Sequence, residues 1–322
     1  MELKPEIIDR LKQLDEKYEA MGQNLLAYLD GLLYADYLTY WDYIHIDTLL
    51  SLQNPKTSFP DEEIFIIYHQ ITELYFKLCL HEYTQIRDNS NPDVGFLYRK
   101  ITRINRYFDA LITSFDIMVD GMDPQQFLKF RMSLLPASGF QSAQFRMIEI
   151  CSTDFINLLE KEAMAKFEGN ITDEVIGKMY NYVYWKSGAT ELSSGKKTLT
   201  LKQFEKKYSE ELIKLAKQCC TENLWAKYNS LDEREKKDEK LVLALRQLDV
   251  NINVNWALSH YKSAVRYLHK SPEDIEATGG TNWQKYLPPR FQKKIFYPQL
   301  WTKQEQEEWG KGWVDSLIQL KK

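Results

Sequence analysis

The chain has 322 residues, a formal net charge of -4, 44% apolar residues and 13% aromatics. This supports one large core or two ordinary ones, and the acidic balance argues against a general nucleic-acid binder. Four cysteines without CxxC spacing, no apolar run behind the charged N-terminus and no uncharged bilayer-length window predict a cytoplasmic protein with reduced thiols, no signal peptide and no membrane span.

Residues 1–38 open with MELKPEIIDRLKQLDEKYEA, a charged amphipathic helical segment. From Ile64, IFIIYHQITELYFKLCLHEYTQI sets Ile64, Ile67, Ile71, Leu74 and Leu78 at the three- and four-residue spacing of a helix stripe. ITRINRYFDALITSF repeats the pattern with Ile101, Ile104, Phe108, Leu111, Ile112 and Phe115. A third helix is expected to start within GFQSAQFRMIEI and run on through Phe155, Leu158 and Leu159. Thr172 and Thr200 are candidate caps for DEVIGKMYNYVYW and LKQFEKKYSEELIKLAKQ. A long helical region from about Leu231 begins with the charge run DEREKKDEK and continues with Leu241, Leu245 and Leu248 on one face. Another helix carries Trp256, His260, Ala264, Tyr267 and Leu268. The alternating stretch VNINVN is short and flanked by helix, so the predicted class is all-α, with one large helical domain over residues 39–322. No internal repeat or low-complexity segment interrupts it.

Signatures of the common chemistries are missing. The five histidines form no HExxH and no zinc spacing with cysteine. There is no G-x-S-x-G and no Walker A loop, and ATGGT at Ala277–Thr281 does not match G-x-G-x-x-G, so hydrolase, kinase and nicotinamide readings lose weight. His69 follows Phe65 by four residues and His260 follows Trp256 by four, so each pair shares a helix face. Each histidine reads either as a hydrogen-bonded core residue or as a functional one. Two such histidines on separate apolar helices can also hold a flat metal cofactor between them, one binding the metal and the other facing the open side. Arg131 stands just before the small-residue stretch PASGFQS. It is either a surface charge beside a turn or a guanidinium for a ligand carboxylate. TGGT is either a glycine turn or a loop that closes over a ligand.

The order of these pieces resembles the tryptophan 2,3-dioxygenase family of haem enzymes. TYWDYIHIDTLLSLQNP, DEEIFIIYHQITELYFKLCLHE, MDPQQFLKFRMSLLPASGFQSAQFRMIE, WALSH followed by TGGT, and IFYPQLW each resemble a family segment, in order, from residue 39 to 301. The resemblance implies haem b, one per subunit, with His260 as the ligand of its iron. It implies His69 as a distal histidine accepting a hydrogen bond from the substrate indole N–H, and Phe65 and Phe127 as apolar walls. It gives Arg131 the substrate carboxylate, Ser138 and Gly139 a place by the haem and oxygen site, and Thr278 the substrate's amino-acid end. Tyr40, Tyr43 and Ile44 match positions that enter a neighbouring subunit's active site, which implies a homotetramer interlocked through its N-terminal segments. The implied reaction joins dioxygen to L-tryptophan and gives N-formylkynurenine, the opening of the kynurenine pathway of tryptophan catabolism.

The chain departs from the family pattern at several points. Pro60 replaces the histidine before the D-E pair, Tyr75 a tryptophan, and Ala257 and Ser259 the arginines of W-R-x-R-H; Ala277 replaces the first glycine of the G-T-G-G loop. These changes touch the proximal side of the haem and the closing loop but leave Arg131 and Thr278 in place. A related haem oxygenase acting on a modified indole or another aromatic amino acid is the first alternative. A non-catalytic haem-binding protein is the second, although it would not need a carboxylate clamp.

Overall fold

The computed structural model describes residues 3–35, 38–131, 140–167, 169, 172–187, 189–190, 196–268 and 293–310. Regular structure among them is helical, and the extended pairings are two isolated bridges, Leu159 with Val183 and Thr190 with Lys197. The chain forms two compact units, Met1–Asn54 and Pro55–Lys322. The division falls after Asn54 rather than after residue 38, so Tyr40, Tyr43 and Ile44 belong with the N-terminal helices.

In the first unit, α1 (Pro5–Ala20) starts with proline, whose missing N–H costs nothing in a first turn. Asn24 caps α2 (Leu25–Leu33) by accepting from the Leu26 N–H at 2.8 Å. Tyr18 and Tyr28 pack ring to ring at 4.5 Å and join the two helices. Two short helices follow, α3 (Tyr40–Tyr43) and α4 (Ile46–Leu49), separated by His45 in the left-handed region at φ 51°. Leu25 is the one buried residue among those described in this unit, while Leu32, Leu33, Tyr34, Tyr40, Tyr43 and Leu50 are exposed. So much exposed apolar surface marks a segment made to be covered.

The second unit is built on a hairpin of α5 (Asp61–Asp88) and α6 (Val94–Ser114). The Glu62 carboxylate accepts from the Lys56 and Thr57 N–H groups at 2.8 and 2.7 Å and fixes the chain's entry into α5. Asp93 caps α6 through the Phe96 N–H. The α6 stripe is buried as expected at Ile101, Ile104, Phe108, Leu111 and Phe115, with Ile112 partly buried. The α5 stripe is not the core face. Tyr68, Thr72, Phe76, Cys79, Tyr83 and Ile86 face inward, whereas Ile67, Ile71, Leu74 and Leu78 are 38–48% exposed. Both faces of α5 are apolar at helical spacing, so periodicity alone does not choose between them.

Two short helices, α7 (Asp116–Asp120) and α8 (Pro124–Phe130), lead to Arg131. Helix α9 (Ala143–Ser152) is capped by Ser142 through the Phe145 N–H at 3.1 Å. It stops earlier than expected, at extended Thr153, and Phe155–Leu158 form a separate 3-10 turn that is still anchored in the core. Thr172 precedes a short helix, Asp173–Met179, without a side-chain capping bond. The cap of the long helix Leu199–Gln218, here α10, is Thr198 rather than Thr200, accepting from the Leu201 N–H at 3.2 Å. The run DEREKKDEK holds a 3-10 turn at Glu235–Lys237 and ends in the first residues of α11 (Glu239–Val250), which Asp238 caps and whose Leu241, Leu245 and Leu248 are fully buried.

VNINVN is neither strand nor ordinary helix. Asn251–Asn255 form a π-helical turn that runs directly into α12 (Trp256–Leu268). Asn251 donates to Asp109 at 3.0 Å and to Asn105 at 3.2 Å, and Asn253 donates to Asp249 at 2.7 Å. Asp249, fully buried, also accepts from the Phe296 and Tyr297 N–H groups and from Trp301 Nε1, tying the IFYPQLW segment to the base of the π turn.

Candidate functional site

Helices α5, α8 and α12 converge on a set of aromatic rings. Phe65 and His69, one turn apart on α5, lie with ring centroids 4.0 Å apart. Phe127 and Phe130 on α8 meet Phe65 at 6.3 and 5.8 Å, and Tyr267 of α12 covers Phe127 at 4.5 Å. His260 is held between Trp256 at 4.5 Å and Phe115 at 4.6 Å. The Ser263 and Tyr267 hydroxyls donate to the carbonyls of Met118 and Met122, at 3.1 and 3.4 Å. These bonds fasten α12 to the segment leading into α8 and so set His260 relative to Phe127.

Both histidines spend the same nitrogen on their own helix. His69 Nδ1 lies 2.7 Å from the Phe65 carbonyl oxygen, and His260 Nδ1 lies 3.0 Å from that of Trp256. A carbonyl can only accept, so Nδ1 carries the proton in each ring and Nε2 keeps its lone pair. Burial lowers the His260 pKa to about 4, outweighing the Trp256 bond, and positive charge on His69 or Arg146 would push the same way. Burial also lowers the His69 pKa, against the opposing bond to Phe65. His69 is nonetheless exposed to solvent. An exposed ring that is densely surrounded by protein lines a concavity rather than projecting from a convex surface.

Arg131 follows Phe130 directly, with its backbone N–H bonded to the Phe127 carbonyl. It is partly buried, and desolvation lowers its pKa from an ordinary value so high that it stays charged. The cation thus sits one residue beyond an aromatic wall. Ser138, Gly139 and Thr278 lie outside the described residues. Tyr40, Tyr43 and Ile44 lie in the first unit, with both tyrosines more than 70% exposed.

These residues fit a haem. An imidazole ligand to iron must be neutral, must present a lone pair, and is oriented by a bond from its other nitrogen. His260 meets all three conditions, and its neighbours Phe115 and Trp256 are apolar and packed. Among the described residues no group of three or more histidine, cysteine or acidic side chains could hold a bare metal ion. Neutral His69 Nε2 can accept a hydrogen bond but cannot donate one.

Phe130, Phe115 and Tyr267 were not predicted as part of the site. Phe130 had a signal, since it stands one helical turn after Phe127 in FLKF, before Arg131. The buried cluster of Arg146, Glu149, Tyr184 and Lys294 was also unforeseen. Tyr184 donates to Glu149 Oε1 at 2.6 Å, Arg146 donates to the Tyr184 hydroxyl at 2.8 Å, and Lys294 bonds to both Glu149 and Tyr184. Arg146 also lies over the Phe145 ring at 4.7 Å. Its charge adds to burial in disfavouring charge on His260.

A family model described as tryptophan 2,3-dioxygenase matches residues 32–229. That range includes Phe65, His69, Phe127 and Arg131 and ends before His260. A tryptophan 2,3-dioxygenase of Ruegeria sp. (strain TM1040) is 39% identical over 117 residues, covering 36% of this chain and 42% of that protein. One from Herpetosiphon aurantiacus is 45% identical over 115 residues, covering 35% and 44%. One from Bacillus cereus is 35% identical over 133 residues, covering 40% and 47%. The chain thus spans less than half the length of these curated relatives.

Proposed function

Since the chain belongs to the tryptophan 2,3-dioxygenase family, we propose that it is a haem b dioxygenase that cleaves the indole C2–C3 bond of L-tryptophan to give N-formylkynurenine. The observation that carries this reading is the pairing of two neutral histidines, each with Nε2 free, across a wall of aromatic rings that ends in Arg131. His260 would hold the iron through Nε2. Haem, when bound, supplies the one-electron chemistry that dioxygen needs to react with a closed-shell indole.

The chain's own residues bind and orient. Phe65 and Phe127 stack against the flat indole and exclude water. His69 Nε2 accepts the indole N–H, which fixes the ring's rotation within its plane. Arg131 takes the substrate carboxylate, and a charge-assisted bond beside an apolar wall gives both affinity and direction. With both ends of the substrate held, the C2–C3 bond is presented to dioxygen in one orientation. Ser138, Gly139 and Thr278 would complete the oxygen side and the amino-acid end. The recruitment of both dioxygen atoms into the product requires no external hydrogen donor.

The assembly reading is a cytoplasmic homotetramer. It is supported by the exposed α5 stripe of Ile67, Ile71, Leu74 and Leu78, and by the exposed Tyr40 and Tyr43 of the N-terminal unit. No helix among the described residues is long and apolar enough to cross a membrane. The test is direct. The protein is loaded with haem, reduced, and given L-tryptophan and isotopically labelled dioxygen, and N-formylkynurenine carrying both labelled atoms is expected. Haem uptake without that product would overturn the reading in favour of a different aromatic substrate or a non-catalytic haem protein.

A further inference from the structure

Cys151 lies in the last turn of α9 and Cys219 at the C-terminal end of α10, and their Sγ atoms are 3.5 Å apart. The two residues are 6% and 2% exposed, and both are free thiols. Isolated buried cysteines are usually small apolar fillers. Two thiols in direct sulfur contact, contributed by two different helices, are more than filler. Their contact lowers the Cys219 thiol and raises the Cys151 thiol, burial raises both, and a third element adds a charge: Arg87, in the last turn of α5, favours the thiolate of each. The other two cysteines lack this setting. Burial raises the Cys79 thiol, and Cys220 is raised by burial and by the nearby carboxylates of Asp154 and Asp173.

We propose that Cys151 and Cys219 form a reversible redox pair, which hydrogen peroxide converts to a disulfide joining the end of α9 to the end of α10. The nucleophile is Cys219. Its thiolate attacks one peroxide oxygen, the O–O bond breaks, and the departing hydroxide takes a proton to leave as water, giving a sulfenic acid. The Cys151 sulfur then attacks the oxidised sulfur. The S–O bond breaks, and the hydroxide leaves with the Cys151 proton as a second water. Two thiols and one peroxide thus give one disulfide and two waters, with sulfur oxidised and peroxide oxygen reduced. Both sulfurs are buried, so the oxidant proposed is a water-sized one and bulky disulfide reagents are disfavoured. The same contact makes the reverse step, reduction by a dithiol, a return to the arrangement seen here.

The experiment uses the full-length protein. It is exposed to hydrogen peroxide, denatured in an alkylating agent, digested and mapped by mass spectrometry. The expected result is the loss of two of the four alkylatable thiols, a linked peptide pair containing Cys151 and Cys219, and recovery of both thiols with a dithiol reductant. Cys220→Ser is expected to keep the link, whereas Cys151→Ser and Cys219→Ser each lose it. Mapping of the unsubstituted protein stands by itself if a serine variant folds poorly. Peroxide that modifies only Cys220 or methionines while Cys151 and Cys219 stay alkylatable would overturn the proposal. So would a link between Cys219 and Cys220.

Discussion

The Nδ1–H of His260 donates to the carbonyl oxygen of Trp256 across 3.0 Å, and this bond decides which ring nitrogen can hold iron. With Nδ1 occupied, Nε2 would be the ligand atom in the proposed haem site, and the ring is aimed by its own helix rather than by a distant carboxylate. Replacing His260 with Ala should therefore abolish axial ligation, and added imidazole should partly restore it. Both are read from the haem absorption spectrum.

The same residue makes stability depend on pH. Its folded pKa is about 4 against an ordinary 6.5. The unfolded chain takes up a proton on this ring first as pH falls, so the folded state loses stability from about pH 6.5 down to about pH 4 and keeps it above that window. The linkage corresponds to roughly 3 kcal/mol. Burial raises Asp249 to about 6, which works in the opposite direction, since a carboxyl that stays protonated when folded favours folding at low pH. The comparison that isolates His260 is the pH profile of urea unfolding for the apo-protein against its His260→Ala variant. The variant's profile is expected to be flatter across the window. Parallel profiles would disprove the assignment.

Arg131→Ala should leave the haem spectrum unchanged and weaken substrate binding. Loss of a desolvated charge-assisted pair costs about 2–5 kcal/mol, or about 30-fold or more in affinity. Tryptophan titration monitored through the haem band checks this, and decarboxylated tryptamine should bind the variant and the parent alike.

His69 has a chemical test in the substrate. If Nε2 accepts the indole N–H, the parent discriminates against 1-methyltryptophan, which has no such proton. His69→Phe should narrow that discrimination, by about tenfold for one hydrogen bond to a neutral acceptor. An unchanged ratio of kcat/KM for the two substrates would remove His69 from the indole nitrogen.

Glu149 is the one carboxylate in a buried cluster with two cations, Arg146 and Lys294. Glu149→Gln keeps the shape and leaves both cations without a counter-charge, so a loss of about 3–5 kcal/mol is expected in urea unfolding. Removing Lys294 by substitution with Met should be milder, because Arg146 then still faces a carboxylate.

What could be read from the sequence was whatever repeats locally. Phe65 with His69 and Trp256 with His260 are each one helical turn apart, so their shared faces follow from spacing alone, whereas Phe65 and Phe127 as walls came only from the family resemblance. The buried face of α5 did not follow, because Tyr68, Phe76 and Tyr83 compete with Ile67, Ile71 and Leu74 at the same period. Contacts between distant segments were equally hidden. Asp249 meets Phe296, Tyr297 and Trp301 only once the chain has returned across the helices. Cys151 and Cys219 look like unrelated cysteines until α9 and α10 pack. Glu149 resembles a solvated charge until Lys294 arrives from the far end of the chain.

The wide turn at Asn251–Asn255 acts as a phase-setter between two helices that would otherwise be one. Each residue of an α-helix advances the side-chain direction by about 100°. If the turn tightened to ordinary helix with all its residues kept, His260 would swing about a quarter of the way round, away from Phe115. Asn251 and Asn253, bonded to Asp109 and Asp249, hold the extra residue in place. The width of the turn, and not only residue identity, therefore sets the direction of His260. Ala257 and Ser259 change the surroundings of His260 while leaving its angular position intact.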